Sequence, residues 1–304
     1  MQDECRPQKI AVIVNPNAGG GKAGRRLPEL QRLMEKEAGT GVTWEVVTTS
    51  ARGHAVELAR QAAANGCDIV AAAGGDGTYG EVVNGIIGSG ARLGIVPFGT
   101  GNDFARALGI GTNLDISIHT LFHGIERAID LGSSGERYFI NVAACGFDAA
   151  VADRFNRTFR FLHGAPAYVL AVLASIVTYQ SRPITLILDG NPRLVCAMLC
   201  TIANAPTYGG GMRIAPDAKI DDGLFDVCLL HKVNKFEFLA SFYKVFKGTH
   251  IHHPRVEMLR AARVRIESEW MLPVMIDGDA VGKTPVEFQL HPRAIKVLVP
   301  EITS

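Results

Sequence analysis

Three glycine-rich segments constrain this chain more than any other feature: NPNAGGGKAG (15–24), GGDGTYGEVVNG (74–85) and FGTGNDFARALG (98–109). Each follows a short apolar run and precedes a helical pattern. A turn of that kind presents unhindered backbone N–H groups and a helix N-terminus to an anion, the physical means of cradling phosphate. The strand candidates around them are KIAVIV (9–14), WEVVTT (44–49), DIVAAAG (68–74) and LGIVP (93–97), with helical patterns over 23–37, 54–65 and 79–87. Such alternation predicts an α/β unit with a mostly parallel sheet, whose ligands bind at the carboxyl ends of the strands. Tight turns alone account for one such cluster but not for three on one sheet edge. They also take up much of an unusual glycine content, 33 in 304 residues.

Beyond Asp130 the pattern changes. YFINVAAC, ITLILDG, LVCAMLCTIAN, LFDVCLL, RVRIES, MLPVMIDG, TPVEFQL and AIKVLVP follow one another as strand candidates, interrupted mainly by helical patterns near 165–180 and 235–247. This predicts a second, antiparallel, β-rich domain of sandwich type. The turn-rich segment LGSSGER (131–137) marks the boundary. The expected domains are therefore 1–131, nucleotide-binding, and 132–304, substrate-binding, with the C-terminal tail able to pack back on the first. The length suits two compact units.

A content of 47% hydrophobic and 20% charged residues excludes a disordered chain. The N-terminal MQDECRPQKIAVIVNP is acidic before it is basic and has only a six-residue apolar run, so it reads as cytoplasmic and not as a secretory signal. The mean hydropathy is slightly positive, +0.15. Yet the longest uncharged stretch, 163–181, carries Gly164, Pro166, Ser175, Thr178 and Gln180, leaving too few apolar residues for a bilayer span. Six cysteines without a CxxC pair read as reduced core thiols. A net charge of +1 argues against a dedicated nucleic-acid binder. Charge is uneven, however: 231–265 holds eight Lys/Arg against two Glu. Within it Phe238, Leu239, Phe242, Tyr243 and Phe246 recur at helical spacing. That helix either faces a core or touches an anionic membrane surface, where flanking lysines add attraction.

Two familiar phosphate motifs are formally present and weak. Gly19, Gly21 and Gly24 satisfy GxGxxG, but Asn15 to Ala18 separate them from the strand, loosening the tight turn a dinucleotide fingerprint needs. Gly282-Lys283-Thr284 ends like a Walker A loop, but Asp277 stands where its first glycine belongs, so a β-turn is expected there. More informative are Asp76 in GGDGT and Asp103 in GTGND. Carboxylates beside phosphates repel unless a cation lies between them, and Mg²⁺ binds through one or two carboxylates plus substrate phosphates. The residues thus point to phosphoryl transfer from a Mg-nucleotide.

With these words, and with NVAACGFDA (141–149), ANAPTYGGGMRIAPDAKIDDGLFDV (203–227) and DGDAVGKTP (277–285), the chain resembles the diacylglycerol kinase catalytic-domain family. The bacterial lipid kinases are the nearest group; sphingosine, ceramide and NAD kinases are more distant relatives. GGDGT alone would admit NAD kinases, whereas GTGNDFA with the YGGGM and PDAKIDDG words is more specific to lipid kinases. The resemblance implies an NAD-kinase-like α/β domain followed by a β-sandwich domain, with ATP and Mg²⁺ as donor and cofactor. It implies a membrane lipid as acceptor in the cleft between the domains, and a cytoplasmic protein that visits the membrane surface peripherally; a homodimer is one admissible assembly.

Nucleotide contacts would come from Asn15, Pro16, Asn17, Ala18 and Gly19, from Thr49, from Gly74, Gly75, Asp76, Gly77, Thr78, Tyr79 and Gly80, and from Thr100. Asp76, Asp103 and Asp130 would support the catalytic Mg²⁺. The Lys219 carbonyl, the Asp222 side chain and the Leu224 carbonyl would hold a second, structural Mg²⁺. The family's general base is the acidic residue after Asp-Gly near the C-terminus, usually Glu; here it is Asp279, with Asp277 as the competing candidate and a polar hairpin turn as the plain alternative. A shorter side chain must still bring its carboxylate within reach of the acceptor hydroxyl.

Other residues carry less. His250, His252 and His253 form HxHH without further zinc ligands at suitable spacing, and read as a solvated loop. Arg154, Arg157 and Arg160 alternate with Phe155, Phe159 and Phe161 before the apolar 165–177, as either a membrane-entry helix or a cover for the second domain. Three rival functions stay open here: a soluble-substrate kinase of the NAD-kinase type, a nucleotide-binding regulatory module without turnover, and, on the weak GxGxxG, a Rossmann oxidoreductase.

Overall fold

The computed structural model describes residues 9–155, 158 and 165–301. Cys5, Arg157, Phe159, Arg160 and Phe161 lie outside the described residues. The chain divides into two compact units, the first running to Ile129 and taking in the tail from Arg293, the second spanning Asp130–Pro292. The division thus falls after Ile129 and not after Leu131, and the tail belongs with the first unit.

The first unit contains β1 (Lys9–Val14), α1 (Ala18–Arg25), α2 (Leu27–Ala38), β2 (Thr43–Thr48), α3 (His54–Ala64), β3 (Ile69–Gly74), α4 (Asp76–Ile86), β4 (Arg92–Pro97), α5 (Asp103–Ala107) and α6 (Leu114–His123). Its sheet runs β2-β1-β3-β4, all parallel, and Val297 of the tail pairs with Leu93 in the same sense. Strands β1, β3 and β4 are buried on both faces, which explains their near-continuous apolar sequences. Ile10, Val12, Ala71 and Ala73 pack against Leu30 and Met34 of α2 and Ile118 of α6. The alternate residues Ala11, Ile13, Val70 and Ala72 point the other way, toward α3 and α4.

The helix expected over 23–37 is two helices. Gly19, Gly20 and Gly21 take left-handed conformations (φ 61°, 68° and 81°) that only glycine adopts readily in succession. Arg26 then breaks the path, and Pro28 sits in the first turn of α2, where its missing N–H costs nothing.

The second unit begins within β5 (Ile125–Ser134) and continues through β6 (Arg137–Phe139), β7 (Val142–Gly146), α7 (Phe147–Arg154), α8 (Ala165–Thr178), β8 (Arg182–Leu188), β9 (Asn191–Ala203), β10 (Phe225–His231), α9 (Lys235–Phe242), α10 (Lys244–Lys247), β11 (Val256–Ala261), β12 (Arg263–Glu267), β13 (Pro273–Ile276), β14 (Asp279–Lys283) and the start of β15 (Val286–Val299). Among the described residues its pairings are antiparallel, in the order β14-β13-β7-β9-β8-β12-β15, with β10 between β9 and β11. The first half of β9 pairs with β8; its second half pairs with β7 on one side and β10 on the other. One long strand thus links both parts of the β-sandwich. Phe139 anchors the core, stacked on Phe225 at 5.7 Å and edge-on to Phe288 at 6.1 Å, arrangements that favour aromatic quadrupoles.

Four expectations change. Cys196 is exposed, because the alternation of β9 turns it outward, while Cys67, Cys145, Cys200 and Cys228 are buried thiols. Lys283 ends strand β14 instead of occupying a turn. The amphipathic helix of 235–247 breaks at Tyr243 into α9 and α10. His250 is not solvated: it lies buried with Nε2 at 3.1 Å from the Ile214 carbonyl. Among the described residues no helix is long and apolar enough to cross a membrane.

Candidate active site

In the first unit the glycine segments meet at the carboxyl ends of β1, β3 and β4. The Asn15 backbone N–H donates to Ala73 O (2.9 Å), its Nδ2 donates to Thr78 Oγ1 (3.3 Å), and its Oδ1 accepts from Asn17 N–H (3.1 Å). One side chain therefore ties the loop of Asn15, Pro16, Asn17, Ala18 and Gly19 to the loop of Gly74–Gly80. Pro16 O accepts from Gly24 N–H, closing α1 over that loop. Thr49 follows β2 and donates its N–H to Val14 O at 2.8 Å. Thr100 is exposed on the third loop.

The second and third loops touch through their backbones. A Cβ placed on Gly99 would lie 2.5 Å from Gly75 Cα and 2.7 Å from Asn102 Oδ1. Asn102 takes a left-handed conformation (φ 51°), its Nδ2 donating to Gly99 O and its Oδ1 accepting from Tyr79 O–H at 3.1 Å. Tyr79 is wholly buried, its hydroxyl also bonded to Gly74 O; burial pushes the phenol's pKa up, so it stays a neutral donor. It is a strut between loops, and its hydroxyl is spent on protein partners.

Asp76 has an architectural duty as well. Its Oδ1 accepts from Phe104 N–H (2.9 Å) and its Oδ2 from Asp103 N–H (3.2 Å), so it caps the start of α5. Asp103 is buried and paired with Arg106 at 3.1 Å. Backbone N–H groups thus fix the Asp76 oxygens, while the Arg106 side chain holds Asp103.

Asp130, grouped by the resemblance with Asp76 and Asp103, belongs to the second unit. Its Oδ2 accepts from Gly223 N–H at 2.7 Å and its own N–H donates to Ile220 O at 2.7 Å, so it clamps the PDAKIDDG loop. In that loop Asp222 Oδ1 accepts from Leu224 N–H, and its Oδ2 pairs with Arg260. Lys219 and Asp222 are exposed. Asp226 Oδ2 is buried without a hydrogen-bond partner; desolvation raises that carboxyl's pKa, Arg260 counteracts it, and the acidic neighbours Asp222 and Asp217 add to it. An oxygen-only donor set beside an orphaned carboxylate oxygen fits a hard cation such as Mg²⁺.

The Asp-Gly-Asp segment resolves into different jobs. Asp277 and Gly278, both at positive φ (45° and 84°), form the two-residue turn between β13 and β14. Asp277 also accepts from the backbone N–H groups of Ile140, Asn141 and Val142, each at 3.0 Å. With both oxygens committed to three backbone donors it serves as a structural anchor. Asp279 opens β14 with a part-exposed carboxylate whose Oδ2 pairs with Arg137 at 2.7 Å.

The second unit also holds a mainly apolar cavity of about 70 Å³, lined by Leu199, Met212, Ile214, Phe238, Phe242 and Val245 among others. By the measure that allots a water 10–15 Å³, it has room for roughly five, or for a short run of methylenes. Its polar lining residues include Asp148, Tyr208, Glu237, Ser241, His250 and His253. Burial raises the Asp148 carboxyl's pKa, partly offset by the hydroxyls of Thr201 (2.7 Å) and Tyr208. Burial lowers the His250 imidazole's pKa, and its Nδ1 has no hydrogen-bond partner. Sequence reasoning missed Asp148 and Arg137. Asp148 lies in the GFDA word, where an acid amid apolar residues was the available signal; nothing local marks Arg137 as the partner of Asp279.

Residues 9–134 match the diacylglycerol kinase catalytic domain, and residues 141–299 match the YegS C-terminal NAD kinase beta sandwich-like domain. That pair of domains makes the protein a kinase that phosphorylates an alcohol, with ATP as the family's phosphoryl donor. Over 300 residues the chain is 35% identical to a diacylglycerol kinase of Mycobacterium tuberculosis, covering 96% of this chain and 95% of that protein. A Bacillus subtilis diacylglycerol kinase is 31% identical, with 97% of each covered. The chain belongs to the diacylglycerol kinase family. A crystal structure of a Bacillus anthracis diacylglycerol kinase shares the fold at TM-score 0.76 and 21% identity, covering 99% of this chain and 100% of that one. Another structure from that organism reaches TM-score 0.83 at 23% identity, with both chains covered fully.

Proposed function

We propose that this kinase transfers the γ-phosphoryl group of Mg-ATP to the hydroxyl of diacylglycerol or a related membrane lipid. The observation that carries the acceptor class is the apolar cavity of the second unit, together with α9, which lines it, and α8, which α9 contacts. Leu170, Leu173 and Val177 of α8 are exposed, as are Phe236 and Leu239 of α9 and Tyr243 after it. Lys235 of α9 bonds the carbonyl of Val177, joining the two helices, and Lys232, Lys244 and Lys247 flank them. Exposed apolar side chains with lysines close by in sequence suit an anionic bilayer surface, and a mainly apolar cavity suits an acyl segment. The same walls offer little to a soluble dinucleotide, which weighs against the NAD-kinase reading. Arg154 donates to Ala174 O (3.1 Å) and Thr178 Oγ1 (3.3 Å), so α7 braces α8 from within the unit.

In this reading the loops of Asn15–Gly19, Gly74–Gly80 and Thr100, with Thr49, cradle the nucleotide through backbone N–H groups. Asp76, Asp103 and Asp130 are the carboxylates that support the catalytic Mg²⁺; Lys219, Asp222 and Leu224 supply oxygens to a structural one. Mg²⁺ neutralises charge on the β- and γ-phosphates when bound. Asp279 takes the hydroxyl proton, with Arg137 orienting its carboxylate until the acceptor arrives. Peripheral membrane contact follows from the exposed helices, and the proposed site of action is the inner membrane surface.

Incubating the purified protein with labelled ATP, Mg²⁺ and a panel of membrane lipids plus NAD tests this. Label in an organic-phase lipid is the expected result. Label in NADP would replace it with the soluble-substrate reading, and nucleotide binding without any labelled product would make the chain a regulatory module.

A further inference from the structure

Away from the glycine loops, the first unit gathers three metal-ligating side chains, Glu37, His119 and His123, whose ligand atoms all lie within 4.8 Å of one another. We propose that they form a binding site for a divalent transition metal, Zn²⁺ in the first instance. His119 and His123 stand one helical turn apart on α6, the i, i+4 spacing that aims two imidazoles at one point. Glu37, near the end of α2, meets them: its Oε2 lies 3.1 Å from His119 Nδ1 and 3.3 Å from His123 Nε2. A tetrahedral ion with bonds of about 2.0–2.1 Å to nitrogen and oxygen holds its ligand atoms roughly 3.4 Å apart. The two carboxylate–imidazole spacings are close to that edge length, and the two imidazole nitrogens lie within 4.8 Å of each other.

The surroundings favour a cation. Both helices present their carboxyl-terminal ends here, α2 finishing at Ala38 and α6 at His123, and that end of a helix carries partial negative charge. The three residues line a groove of about 650 Å³ that Asp115 and Glu301 also border, with Lys36 as the opposing charge. The open groove leaves the remaining coordination position to water. Imidazole nitrogens select zinc-like ions over the Mg²⁺ that the phosphate chemistry calls for, so the two metals do not compete for one site. The site ties α2 to α6, two helices that pack on the same face of the sheet.

The test is calorimetric titration of chelator-treated full-length protein with ZnCl₂, repeated with CoCl₂ while following visible absorption. One equivalent should bind, and the Co²⁺ form should show the intense bands of a four-coordinate site. His119→Ala/His123→Ala should weaken this event by more than the roughly 10- to 100-fold that loss of a mere outer partner costs, and Glu37→Gln should weaken it by about tenfold or more. All three side chains are at least partly accessible, so the variants should keep the wild-type far-UV ellipticity and melting temperature in chelator. Zn²⁺ should raise the melting temperature of the wild type and leave the double variant unmoved. Absence of a binding event, or one of unchanged affinity in the folded double variant, would overturn the proposal and leave an ordinary imidazole–carboxylate cluster.

Discussion

Replacing Asp277 with alanine strips the backbone N–H groups of Ile140, Asn141 and Val142 of their shared acceptor. Each buried donor left without a partner costs about 1–3 kcal/mol, so the variant should lose roughly 3–5 kcal/mol, read from the midpoint of urea unfolding. Asp279→Asn, two residues on in the same hairpin, should behave in the opposite way. Its carboxylate pairs with the half-exposed Arg137, and loss of such a pair should shift stability by no more than about 1 kcal/mol. Turnover on the lipid acceptor should nevertheless fall by about a hundredfold or more if the carboxylate is the base. A stable Asp277→Ala variant would deny the anchoring role; an active Asp279→Asn variant would deny the catalytic one. Neighbouring acids that look interchangeable in DGD are separated by what their oxygens already hold.

The loops of the first unit pose the matching question one level up. Gly99 and Gly77 both sit in glycine-rich turns, but only Gly99 abuts another backbone. Gly99→Ala should force the second and third loops apart, costing about 1–3 kcal/mol, and should weaken nucleotide binding by about tenfold or more. Gly77 has open space around a would-be Cβ, so Gly77→Ala should leave stability near wild type. Thermal melts and nucleotide titration of the two variants check this pair. The strands and most helices around these loops were legible because local periodicity encodes them: β1 reads KIAVIV and lies at Lys9–Val14. Less legible were features set by distant partners. The split of α1 from α2 falls at Arg26, with Pro28 in the first turn of α2, and the break of α9 from α10 falls at Tyr243, where the sequence keeps its helical spacing. The Arg137–Asp279 pair joins residues 142 positions apart, beyond any local pattern. Asp76 stood out in the sequence as an acid within a glycine loop, yet its capping of α5 appears only once β3 and β4 are adjacent.

At the scale of the whole molecule, the first unit is discontinuous in sequence. Its final segment, from Arg293, buries Ile295, Val297, Leu298 and Val299, and Leu298 joins the core beside Leu121 and Phe122. A fragment ending at residue 131 therefore lacks part of its own hydrophobic core. It should be unfolded or strongly destabilised by far-UV circular dichroism, whereas the same fragment with residues 293–304 joined through a flexible linker should show a cooperative melt. Equal melts for the two fragments would mean that the tail is dispensable. The second unit, by contrast, is one uninterrupted stretch. A ribosome delivers the chain from its amino end, so the unit that starts first cannot be completed until the segment from Arg293 emerges. Throughout the making of residues 130–292 the nascent first unit waits with part of its core missing, and by the time that part arrives the second unit already has its whole sequence.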